Sequence, residues 1–110
     1  MFGLNRTKKP PKVWRQGDVF LIARAEALPK YRAAVPPVLA EGEVTGHAHR
    51  LADPAAAQLY RSGLQLYLEV SARSARIVHE EHGPIDLPRG IYEVRIQREY
   101  IPGADQRVRD

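Results

Sequence analysis

All four histidines of the chain fall into two tight groups, His47-Ala48-His49 and His79-Glu80-Glu81-His82. Imidazole is the commonest protein ligand for zinc, copper, iron and nickel, so this clustering points to a metal site. Two histidines at i and i+2 on a strand share one face with backbones roughly 6 to 7 Å apart, close enough to reach one ion. The second pair is spaced for a strand end running into a turn, and it carries two carboxylates between its rings. Zinc takes three histidines at about 2.0 to 2.1 Å and keeps a fourth position open when catalytic, or takes four protein ligands when structural. The expected ligands are therefore His47 and His49 with one or both of His79 and His82, and the expected ion is a divalent transition metal, zinc above the others. An imidazole-dominated donor set argues against calcium.

Carboxylates near these rings suggest what else the site could do. Glu81, Glu80 or Glu43 could ligate the ion, accept an imidazole N–H, or act as general base toward a metal-activated water, with Glu81 and Glu43 the candidates for the catalytic role. The His-Glu-Glu-His segment does not fit the zinc-protease helix, whose histidines stand at i and i+4; here they are three apart in a strand-like and turn-like context. Ser62, Ser71 and Ser74 have no nucleophile-elbow surroundings, and no glycine loop of a phosphate-cradling type is present. Arg95 and Gln97 would share one face of the last strand and Arg98 and Tyr100 the other, a pattern that fits a solvated sheet face better than a substrate pocket. Trp14, the sole tryptophan, reads as core or rim packing.

The elements that must position these groups are short strands. A chain of 110 residues with 44% hydrophobic residues makes one domain with one core and argues against general disorder. Cysteine is absent, which removes disulfides, thiolate nucleophiles and all cysteine-containing zinc patterns. No stretch resembles a signal core or a membrane span, so a cytoplasmic protein without membrane contact is expected. The net charge of +4 would favour nucleic acid or an acidic partner. Its carriers are dispersed, though, over an N-terminal arm (Arg6, Lys8, Lys9, Lys12, Arg15), a turn flanked by Arg73 and Arg76, and a tail with Arg107 and Arg109.

Alternation of apolar and polar residues dominates over any helical period. Strands are expected over Asp18 to Arg24, Val38 to Val44, Leu64 to Val70, Ala75 to His79 and Ile91 to Ile101, the third and fourth joined as a hairpin by a polar turn and the last entered through Pro88-Arg89-Gly90. Asp53 and Pro54 could open a helix of at most about two turns toward Tyr60, and a hairpin fits that stretch equally well. The core should contain Phe20, Ile22, Leu64, Leu66, Leu68, Val70, Ile77, Val94 and Ile96. The fold expected is all-β: a single small barrel or sandwich, cupin-like or jelly-roll, with one short helix at most. Residues 1–12 would form a flexible basic arm, 13–101 the β domain and 102–110 a tail.

Two resemblances accompany these patterns. Gly42, His47-Ala48-His49 and Asp53, followed by Pro88-Arg89-Gly90, resemble the paired motifs of the cupin family, with Glu93 where that family has a histidine and Gln97 where it has an asparagine. That likeness implies a β-barrel, a metal and dioxygenase or isomerase chemistry. Gln16-Gly17-Asp18, Gly42-Glu43-Val44-Thr45-Gly46-His47-Ala48-His49 and Gln97-Arg98-Glu99-Tyr100 look like a group of short uncharacterised bacterial and phage proteins, over Val13 to Tyr100. This second likeness implies a complete small protein and no particular activity. Two functions follow: a metal-dependent enzyme, hydrolase or cupin-like, acting on a small molecule; or a non-enzymatic module in which a structural metal pins loops while the basic surface contacts nucleic acid or an acidic partner. Metal binding is the common element, enzymatic activity is left open, and a homo-oligomer is compatible with either.

Overall fold

The computed structural model describes residues 10–42 and 46–97, which form eight strands. In chain order these are β1 (Val13–Gln16), β2 (Val19–Arg24), β3 (Ala33–Val35), β4 (Val38–Glu41), β5 (Ala48–Leu51), β6 (Ala57–Ser62), β7 (Gln65–Val78) and β8 (Ile85–Ile96). Every pairing is antiparallel, and the sheet runs β1-β2-β8-β7-β5-β4, with β6 also on β7 and β3 on β6. The protein is all-β, with no helix among the described residues, and the sheet does not close into a barrel. The basic arm and the C-terminal tail fall mostly or wholly outside the described residues, as do Glu43, Arg98 and Tyr100. Among the described residues no helix is long and apolar enough to cross a membrane.

Two long strands divide the sheet into two halves. Residues 65–70 of β7 pair with β6 on one side and with residues 90–94 of β8 on the other. Residues 74–77 of β7 pair with residues 85–88 of β8, and the last two residues of β7 pair with β5. The register shifts between Val70 and Ser74, where Ser71 N and Ala72 N both donate to Ala56 O at 3.1 Å. Two N–H groups on one carbonyl are what a bulge leaves, and a bulge bends a strand. Buried residues from both halves form one cluster, including Leu21, Leu59 and Leu68 on one side and Leu39, Leu51 and Ile77 on the other. The halves thus pack against each other like the layers of a sandwich that share β7 and β8.

This architecture corrects several expectations. The polar stretch Ser71 to Ser74 is no hairpin turn: Ala56 O accepts the Ser71 and Ala72 N–H groups, so the chain kinks and continues, and Ala75 to Val78 belong to the same strand as Leu66. Pro88-Arg89-Gly90 lies inside β8 rather than before it, opposite the bulge, where an interrupted ladder tolerates a residue with no N–H to donate. The helix option at Asp53 reduces to a single turn, in which Asp53 Oδ1 accepts Ala55 N–H at 3.0 Å and Asp53 O accepts Ala56 N–H at 3.0 Å. From Ala57 the chain is β6, because pairing on both edges with β7 and β3 satisfies more backbone than a short helix could.

The core is largely the one expected, with a change of phase at two places. Leu66, Leu68, Val70, Ile77 and Val94 are buried. Leu64 is 99% exposed, because it is the second residue of the two-residue turn Gly63-Leu64 between Ser62 and Gln65. In β2 the fully buried residues are Val19 and Leu21, while Phe20 and Ile22 are half-buried. A continuous apolar run carries no alternation from which its phase could be read; the turn before it decides. Ile96 is half-buried against the core's edge, and Trp14 packs there edge-on to Tyr92, with ring centroids 5.6 Å apart.

Leu68→Ala should lower unfolding free energy by about 2–5 kcal/mol, whereas Leu64→Ser should stay within about 0.5 kcal/mol. Urea denaturation followed by the fluorescence of Trp14 distinguishes these outcomes, and equal losses would contradict the exposed turn.

Candidate metal centre

Three segments build the site: the β1–β2 turn, the start of β5, and the loop from His79 to Pro84 between β7 and β8. Gln16 pairs with Val19, so Gly17 and Asp18 are the two central residues of the first hairpin turn. Gly17 has φ 60°, and no described non-glycine residue has a positive φ. A type II′ turn wants glycine at this first position, which fits the strand twist. A second constraint acts on the same atom: a Cβ on Gly17 would stand 2.6 Å from His82 Nε2. The missing side chain is the space that the His82 ring occupies.

His49, on β5, is 2% exposed and meets this turn from the other side of the core. Its Nδ1 lies 2.8 Å from Gln16 Oε1. Gln16 is itself 2% exposed, and its Nε2 donates to Ile77 O at 3.0 Å and to Gly83 O at 2.9 Å. With both amide hydrogens given to carbonyls, Oε1 must accept, so the His49 Nδ1 carries the proton. A neutral His49 then presents its lone pair at Nε2, the state a metal ligand requires. That Nε2 lies 3.5 Å from Asp18 Oδ1.

The other rings gather around His79. Its centroid is 4.2 Å from that of His49, 4.7 Å from that of His82 and 5.8 Å from that of His47, and His49 and His82 lie nearly parallel at 5.8 Å. The two histidine groups thus form one cluster of four rings. His79 Nδ1 accepts the Glu81 N–H at 3.0 Å, which places the proton of a neutral His79 on Nε2. His47, His79 and Glu80 present ligand atoms within 4.8 Å of one another.

The three candidate carboxylates fare differently. Glu80 accepts Ala48 N–H at 2.9 Å through one oxygen and is bound by the Arg50 guanidinium at the other. This contact holds the His79 loop against β5 and, through Arg50 first and the Ala48 N–H second, pulls the Glu80 carboxyl down from 4.5 to about 2. Occupied on both oxygens, Glu80 is a clamp more than an open ligand, although it lies in the same geometric group as His47 and His79. Glu81 is exposed, with Oε2 3.6 Å from His47 Nδ1. Glu43 lies outside the described residues.

Gln16, Gly17, Asp18 and Arg50 were not among the residues singled out for chemistry. The one signal for the first three is the string Gln16-Gly17-Asp18, a hairpin turn whose flanking polar residues look like ordinary turn chemistry until β5 is laid against it. The cupin pattern loses its second motif, since Pro88-Arg89-Gly90 is not a turn.

Together these features define a small all-β domain, an open bent sheet with a histidine cluster at the meeting of two turns and a strand. The model of a domain of unknown function, DUF8820, matches residues 15–97, and the chain belongs to that family. The match spans the β1–β2 turn, both histidine groups and β8. No curated protein and no solved structure matches the chain.

Because its folded value lies below the ordinary one, Glu80 contributes stability that is complete above about pH 4.5 and is lost as pH falls through about 2. The Glu80 carboxyl carbon, followed by NMR, should titrate near the lower value in the native protein and return toward 4.5 in Arg50→Ala. An unchanged midpoint in the variant would rule out the Arg50 contact as the main cause.

Proposed function

We propose that this protein binds one divalent transition metal, zinc before the others, through its histidine cluster. The observation that carries the proposal is the meeting of all four imidazoles, with the buried His49 held by Gln16 in the tautomer whose proton is on Nδ1 and whose lone pair is on Nε2. The donor set suits the group: neutral imidazoles match zinc, copper, nickel and iron, and the chain offers no thiolate to compete. His49 would be the anchor, since its orientation is already determined by a buried amide. His47 and one or both of His79 and His82 would complete the set, with His79 giving up the Glu81 N–H if it ligates through Nδ1. Glu80 and Arg50 keep the loop that carries two of the rings against the strand that carries the other pair.

A hydrolytic role is the second reading, and the exposed Glu81 beside His47 is what favours it. A bound zinc would supply Lewis-acid polarisation at the site. Glu81, reaching solvent with Oε2 3.6 Å from His47 Nδ1, is placed to take and release a proton there. Glu81→Gln should then abolish turnover of a model phosphate or carboxylic ester while zinc content stays near that of the native protein; loss of zinc together with activity would make Glu81 a ligand.

Protein purified without an affinity tag and loaded with zinc should retain close to one equivalent by elemental analysis after gel filtration. His49→Ala should lose most of it, and Gln16→Leu should bind about 10- to 100-fold more weakly, as expected when the group orienting a ligand imidazole is removed. Retention of zinc by His49→Ala would count against the cluster as the binding site.

A further inference from the structure

From the geometry of the β1–β2 turn we infer that Asp18 is a ligand of the same ion, paired with His49 Nε2; the inference rests on the metal-binding reading above. Three observations meet at this residue. The Gln16 amide donates both of its hydrogens to carbonyls, so it accepts from His49 Nδ1, and the second nitrogen of that ring is the one turned to Asp18. The separation of His49 Nε2 from Asp18 Oδ1 is 3.5 Å. A charge-assisted N–H···O bond is shorter, about 2.7–2.9 Å, whereas two ligands on one tetrahedral zinc, each about 2.0 to 2.1 Å from it, lie about 3.3 to 3.4 Å apart. The observed gap matches shared coordination better than a direct hydrogen bond. The group formed by His47, His79 and Glu80, whose ligand atoms lie within 4.8 Å of one another, includes a carboxylate already bound to Arg50.

The third observation is the packing of His82 over Gly17. A residue with a side chain at position 17 would exclude that ring, so the glycine admits a further imidazole to the turn that carries Asp18. His82 also lies parallel to His49 at 5.8 Å. His49 and His82 thus both border the turn that carries Asp18, whose side chain is about one-third exposed. A carboxylate in the set lowers the net charge of the occupied site and selects an ion that accepts mixed nitrogen and oxygen donors, as zinc does.

Zinc titration by competition with a chromophoric chelator, run on the native protein and on Asp18→Asn, tests the assignment. Asp18→Asn should bind at least about 100-fold more weakly, beyond the loss typical of an outer-sphere partner, and should unfold in EDTA at the same temperature as the native protein in EDTA. Native protein that binds zinc together with Asp18→Asn of equal affinity would overturn the role of Asp18 and leave the histidine site standing. Native protein that binds no zinc would overturn both. Should Asp18→Asn fail to fold, the native protein decides: the Asp18 carboxyl carbon resonance should shift on addition of one equivalent of zinc, and a resonance that does not move would refute the assignment.

Discussion

The side chain of Gln16 fastens the β1–β2 turn to the end of β7, to the loop that follows it and to β5. From a position 2% exposed, it donates to Ile77 O near the end of β7, donates to Gly83 O in the following loop, and accepts from His49 on β5. Each hydrogen bond is worth only about 0.5–1.5 kcal/mol net, yet loss of the amide would take this acceptor from the Nδ1–H of the buried His49, at about 1–3 kcal/mol. The asymmetry makes this amide a strong constraint on geometry even though its net contribution to stability is modest. It settles which nitrogen of His49 carries the proton, and with that the chemistry open to the ring.

The bend in β7 and β8 makes this contact possible. Were β7 straight, β1 and β5 would lie on one surface with β2, β8 and β7 between them, and Gln16 could not reach His49. The double acceptance at Ala56 O, together with Pro88 opposite Ser74, interrupts the ladder and lets the sheet fold over its own core. Apolar burial then locks the fold, with Leu21, Leu59, Leu68, Ile77 and Leu87 all inaccessible to solvent.

Electrostatics separates carboxylates that the chain places close together. Glu80 faces Arg50 and an amide N–H and is held ionised far into acid, so it serves to fasten the loop. Its neighbour Glu81 turns outward beside His47, and Asp18 faces His49 from the opposite turn. Three acidic groups around four imidazoles thus have three different surroundings.

Much was legible in the chain alone because it depended on local periodicity and on residue type. Alternation over Leu66 to Val70 established strand and buried face, the absence of cysteine restricted any metal to nitrogen and oxygen donors, and the confinement of histidine to two short segments marked the residues that do meet. Tertiary structure alone decided the rest. The phase of β2 came from the Gly17-Asp18 turn, since an unbroken apolar run has no period to read; Ser71 to Ser74 became a bulge because a distant carbonyl accepted the Ser71 and Ala72 N–H groups; Leu64 was turned out to solvent by a two-residue turn one position away. The parts played by Gln16, Asp18 and Arg50 were invisible for a common reason. A glutamine, an aspartate in a turn and an arginine on a strand are ordinary surface residues until the fold removes water from one of them and sets a particular imidazole or carboxylate in its place.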